Sequence, residues 1–251
     1  MAKRLAQAIS LAVTLSCVIL APATSSAGSD PDKSRRGPSG TARAFFEGID
    51  TTDVDAFLTR IRPLPLSPAL RAQVIASLPT EGELRPAPKD LLKLAIAESI
   101  LKFHQRKDAI DVRLIDVKHA FVGLHARSVL LISRDALDLV RPQELQALIA
   151  HELGHEYFWD EYSRAMADHD DRRMQELELR CDGIAVLTLR QLALDPEDLV
   201  RAVTSLTRYN ERLGAVASAD SYASLGDRVK FIRALQRLLD DQGRRLTGTA
   251  R

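Results

Sequence analysis

The sequence predicts an α+β fold, mostly α with one small sheet, and three observations carry that expectation. Apolar residues recur at helical spacing through most of positions 41–248, with prolines and charge clusters between the segments. Only residues 112–117 and 128–133 form short runs rich in β-branched and other apolar side chains, as strands do. Both runs lie mid-chain with helical sequence on either side, which points to one small sheet within one domain.

The first residues read as an export signal. Lys3 and Arg4 form a positive start, residues 5–20 are mostly apolar, and Ser25-Ser26-Ala27 offers a cleavage site before Gly28. Gln7, Ser10, Thr14 and Ser16 interrupt the apolar run, which is shorter than the roughly 20 residues a spanning helix needs. Residues 1–27 are therefore expected to be removed, with an uncleaved anchor as the alternative. A lipid attached at Cys17 is disfavoured by Thr14 three positions before it. No later segment is apolar enough to cross a membrane, so the mature chain is expected without a span, either periplasmic or secreted.

Residues 28–40 are rich in Gly, Pro, Ser and charge and read as a disordered linker. The domain is then expected over 41–248, with a helical part at 41–106 and a catalytic core at 107–248. In the helical part, short helices are predicted near 53–62 and 68–78 and a longer one near 88–106. After the second strand the chain returns to helix: Pro142 suits a first turn and Glu144 its dipole, with Leu145, Leu148, Ile149 and Leu153 on an apolar face. This helix is expected to reach about Trp159. Residues 164–173 read as a charged connector, followed by helices over about 174–192, after Pro196, and near 226–240.

Lys plus Arg total 35 against 34 for Asp plus Glu, so the basic excess that a nucleic-acid partner requires is absent. Once residues 1–27 are gone, Cys181 is the remaining cysteine and has no partner for an internal disulfide. Lying in an apolar helical stretch, it reads as a small buried residue.

His151-Glu152-Leu153-Gly154-His155 carries the chemistry. Histidines four apart on a helix lie one turn apart on one face, where two neutral imidazoles can chelate one zinc ion. Glu152 can then take a proton from a water that the metal polarises. A third deprotonated ligand must come from elsewhere. Glu178, on the next strong helix, reaches the site if a short loop lets the two helices pack antiparallel; Asp182, one turn on, could accept the outer ring N–H of His151. His169, among three aspartates of the connector, is the rival ligand.

The stretch Glu144-Leu145-Gln146-Ala147-Leu148-Ile149-Ala150-His151-Glu152-Leu153-Gly154-His155 resembles the active-site helix of the HtpX and CAAX-prenyl-endopeptidase family of gluzincins. That family takes its third zinc ligand from a Glu-x-x-x-Asp motif, which Glu178 to Asp182 matches. His119-Ala120-Phe121-Val122 resembles its Asn-Ala-Phe stretch, followed by a strand and Asp135-Ala136-Leu137. The resemblance covers about residues 110–240 and implies a zincin-like metallopeptidase domain with one zinc per chain. Cys181 stands where the family has a small residue. Tyr222-Ala223 replaces a His-Pro pair six residues before Arg228, so Tyr222 is the expected hydrogen-bond donor to the reacting carbonyl oxygen, with Arg228 holding that loop or assisting directly. The integral-membrane helices of the named members have no counterpart.

The function these features imply is a zinc endopeptidase acting on protein or peptide substrates among exported or envelope proteins. Its substrate is expected to pair as a strand with the run Val129, Leu130, Leu131, Ile132 and Ser133. The alternatives are a zinc-containing chaperone-like or binding module with little activity, and a peptidase held inactive by its N-terminal helices. Three protein ligands beside a spare carboxylate favour catalysis, because structural zinc sites usually have four. The sequence carries no mark of an oligomeric state.

Overall fold

A computed structural model describes residues 37–214 and 222–248, apart from 52 and 81. The expected export signal and most of the expected linker lie outside the described residues. Ten helices and four strands are described: α1 (Pro38–Glu47), α2 (Val54–Ile61), α3 (Pro68–Ser77), β1 (Glu83–Leu84), α4 (Pro88–Phe103), β2 (Asp111–Ile115), β3 (Val122–His125), β4 (Val129–Ser133), α5 (Arg134–Leu139), α6 (Pro142–Tyr157), α7 (Trp159–Ala167), α8 (Asp171–Gln191), α9 (Glu197–Arg212) and α10 (Leu225–Gly248). The α+β, mostly helical fold is as the periodicity predicts.

Helix α6 is the axis of the domain. Its start is set by Pro142 in the first turn and by Glu144, whose carboxylate accepts the Arg141 N–H at 2.8 Å. Side chains on every side of it are buried, including Leu145, Ala147, Ile149, Ala150, His151 and Leu153. A helix buried all round needs partners on all faces, and α6 has them in α4, α8, α9 and strand β3.

The sheet runs in the order β1-β2-β4-β3. Strands β2 and β4 are parallel, with Leu114 facing Ile132, and β3 is antiparallel to β4, with Leu124 facing Leu130. Strand β4 is thus a central strand, buried along its whole length. This corrects the expectation that Val129, Leu130, Leu131, Ile132 and Ser133 form the substrate edge: both of their hydrogen-bonding edges are used by neighbours. Among the described residues the free edge beside α6 belongs to β3, a strand the sequence analysis does not predict. A two-residue turn at Ala126 and Arg127, with φ of 44° and 57°, joins β3 to β4; positive φ at both positions is the twist a tight hairpin needs.

Two further differences concern helices. Helix α1 begins at Pro38, inside the stretch expected to be linker, and its Phe45 ring fills the space where a side chain at Gly183 of α8 would stand. The expected charged connector holds the end of α7, whose Tyr162 and Ala165 are buried, then a turn and the start of α8, capped by the Asp170 carboxylate on the Arg173 N–H at 2.9 Å. No helix among the described residues is long and apolar enough to cross a membrane.

Candidate metal centre

The side chains of α6 and α8 meet in antiparallel order: His151 contacts Asp182, His155 contacts Glu178, and Gly154 lies against Cys181. The helices do so with α7 between them in sequence, where a short loop was expected. Absence of a side chain at Gly154 permits the approach, since a methyl group there would sit 2.7 Å from the Cys181 Cα. Cys181 is completely buried, and burial with three nearby carboxylates pushes its thiol well above the usual range, so it stays protonated.

His151, His155 and Glu178 form a group whose ligand atoms all lie within 4.8 Å of one another. His151 Nε2 is 3.5 Å from Glu178 Oε2, and His155 Nε2 is 3.6 Å from Glu178 Oε1. Bonds of about 2.0–2.2 Å in a tetrahedron place donor atoms roughly 3.3–3.5 Å apart, so the spacing and the two-nitrogen, one-oxygen chemistry fit zinc. The imidazole rings stand nearly perpendicular, at 88°. Tyr162 of α7 braces the pair: its ring packs edge-on against His155, and its hydroxyl is 3.5 Å from Glu178 Oε1. Nothing in the sequence marked Tyr162 for this place. His169 is exposed in the turn after α7, with a φ of 52°, and is not part of the ligand group.

Behind the ligands lies a buried chain of charge. Asp182 Oδ1 is 2.8 Å from His151 Nδ1, which leaves His151 Nε2 directed at the metal position. Arg228 of α10 forks onto the same carboxylate, Nε to Oδ2 at 2.9 Å and Nη2 to Oδ1 at 2.6 Å. Arg228 Nη2 also lies 3.2 Å from His151 Nδ1, and both groups donate towards Asp182 Oδ1. Burial alone would raise the Asp182 pKa, but Arg228 and His151 outweigh it and hold it at about 2. Burial and Arg228 both press the His151 pKa down. Asp182 and Glu178 prevail and lift it to about 9 before a metal binds, so metal and proton compete for this ring. Arg228 thus sits against Asp182 and His151, where it would position the His151 ring.

Glu152 points the other way, towards the sheet. Its Oε2 accepts the backbone N–H of Leu124 on β3 at 3.0 Å. Burial pushes its carboxyl above the usual range against the charges of His155 and His151. It is not one of the three grouped side chains, but it lies close enough to feel the charges of His155, His151 and Glu178. Tyr222 is half-buried two residues ahead of Ser224, whose hydroxyl accepts the Asp227 N–H at the start of α10.

Residues 89–175 match the model of Peptidase family M48. The match runs from α4 into α8 and takes in both histidines and Glu152, but ends before Glu178 and Asp182, which the structure brings to the same site. No curated protein matches the chain.

Proposed function

We propose, from the premise that this chain carries an M48-type metalloendopeptidase domain, that it cuts unfolded or extended segments of exported or envelope proteins. The domain supplies the hydrolytic chemistry; the substrate class and the location rest on the export-like first residues. The observation that carries the catalytic reading is the position of Glu152, between the ligand group and the free edge of β3.

His151, His155 and Glu178 would hold zinc, whose chemistry when bound is to polarise water and the substrate carbonyl. Asp182 and Arg228 keep the His151 ring in one tautomer and one orientation. Glu152 takes the proton from the attacking water and can pass it to the departing amine, with its carboxylate held in place by Leu124 N–H. An extended substrate laid along β3 has its backbone beside Glu152. Tyr222, three residues before α10, is the group proposed to donate to the developing oxyanion.

The test is to purify residues 28–251, measure bound zinc, and follow cleavage of a reduced, unfolded protein beside Glu152→Gln. Zinc in both proteins with cleavage only in the wild type is the expected result. Zinc with no cleavage in either would move the protein to a binding role.

A further inference from the structure

The free edge of β3 is closed at one end by a side chain. Phe121 turns both backbone groups towards β4: its N–H donates to Ser133 Oγ at 2.8 Å and its carbonyl accepts the Ser133 N–H at 2.8 Å. Backbone groups alternate in direction along an extended chain, so those of Ala120 face outwards. Asn210 of α9 takes both of them. Its Oδ1 accepts the Ala120 N–H at 2.8 Å and its Nδ2 donates to the Ala120 carbonyl at 2.9 Å. A carboxamide bonded in this way copies the pair of bonds that one residue of an added strand would make.

At the other end, Leu124 N–H is held by Glu152. Val122 lies between, and among the described residues its N–H and carbonyl are the outward pair left for a strand, together with the Leu124 carbonyl. We infer that Asn210 is a stop that fixes the register and length of the substrate strand on β3. Substrate can exchange both bonds with Val122 and one with Leu124, and cannot pair with Ala120. In an antiparallel strand the residue facing Ala120 lies two positions C-terminal to the one facing Val122, so pairing ends there. This inference rests on the proposed use of β3 as the substrate edge, and the experiment separates the two.

A synthetic peptide spanning one bond that the purified protein cuts in an unfolded test protein serves as probe. Each amide outside the scissile bond is replaced in turn by an ester, which removes one N–H donor. In the wild type, two positions spaced by two residues should each lower kcat/KM by about three- to ten-fold, the worth of one net hydrogen bond. The next position towards the C-terminus at the same spacing should change it by less than about two-fold. In Asn210→Ala, which frees Ala120, that third position should become sensitive as well, while zinc content stays unchanged. A third sensitive position already present in the wild type overturns the stop. No alternating sensitivity anywhere overturns the β3 edge itself. The wild-type scan decides the matter even if Asn210→Ala does not fold.

Discussion

Gly154 of α6 and Cys181 of α8 touch so closely that the Cα of one occupies the space a side chain on the other would need: a Cβ at Gly154 would lie 2.7 Å from Cys181 Cα and 2.8 Å from its Cβ. The obstacle is backbone, which cannot swing aside, and the same two helices carry all three candidate ligands. Gly154→Ala should force them apart. The expected result is a loss of about 1–3 kcal/mol of stability, the usual cost of overpacking, with weakened zinc binding. Chemical denaturation and metal titration check it, and unchanged affinity would show that the ligands tolerate the shift.

His151→Ala and His155→Ala should each abolish the expected content of about one zinc per chain, since two protein ligands remain. Glu178→Ala should do nearly the same. Asp182→Ala removes an orienting bond and should weaken zinc by roughly 10–100-fold. His169→Ala, outside the ligand group, should leave it unchanged. Elemental analysis after dialysis against a graded chelator compares the five variants, and full zinc in both histidine variants would reject the site.

Glu152→Gln is nearly isosteric and leaves the ligand group intact. Loss of the proton acceptor should lower turnover by roughly 10²–10⁴-fold with zinc retained. Equal turnover of variant and wild type would remove Glu152 from the reaction.

Tyr222→Phe deletes one hydroxyl. If that hydroxyl donates to the oxyanion, turnover should drop roughly 10²–10³-fold with zinc content and stability unchanged. Wild-type turnover on a protein substrate would end the assignment.

The remaining prediction concerns acid. His104, at the end of α4, is buried between α6 and α8: its ring nitrogens lie 2.8 Å from the Tyr157 hydroxyl and 2.9 Å from Thr188 Oγ1. Thr188 donates to the Ile184 carbonyl, so it accepts from His104 Nε2–H, and Nδ1 accepts from Tyr157. Burial, with the charges of Arg62 and Arg106, lowers the pKa of this ring to about 3. The folded value lies below the unfolded 6.5, so the unfolded chain binds the proton first. The stabilisation is complete above pH 6.5 and is lost as pH falls towards 3. Between pH 7 and 5 the wild type should lose about 2 kcal/mol from this group. His104→Gln should lack that share of the loss. Parallel slopes of stability against pH for the two proteins would contradict it.

Much of the site was legible because its spacing is helical. His151 and His155 needed only the period of α6, and Glu178 with Asp182 the same period on α8. What joins the two helices was not legible. Helix α7 shows its apolar side mainly at Tyr162 and Ala165, and the run Asp168-His169-Asp170-Asp171 after it reads as loop. The free edge was misplaced although a signal existed: Val129 to Ile132 has no polar alternation, the pattern of a strand covered on both faces. Strand β3 was hidden by its turn, where Ala126 and Arg127 hold positive φ without the Gly or Asn that usually announces it. Arg127 is tied down instead by the Leu64 carbonyl and by Glu156. Asn210 lies 90 positions from Ala120, and no local pattern links them.

The fork of Arg228 on Asp182 also dictates an order of assembly. Arg228 comes 46 positions after the carboxylate it holds, on the last of the described helices. During synthesis both histidines, Glu152 and Glu178 emerge well before it. Until α10 docks, Asp182 has no arginine, and the His151 ring lacks the fixed carboxylate that aims it. A nascent or truncated chain short of α10 therefore holds the same three side chains with the His151 ring less firmly aimed, and the fully ordered site arrives only when α10 docks.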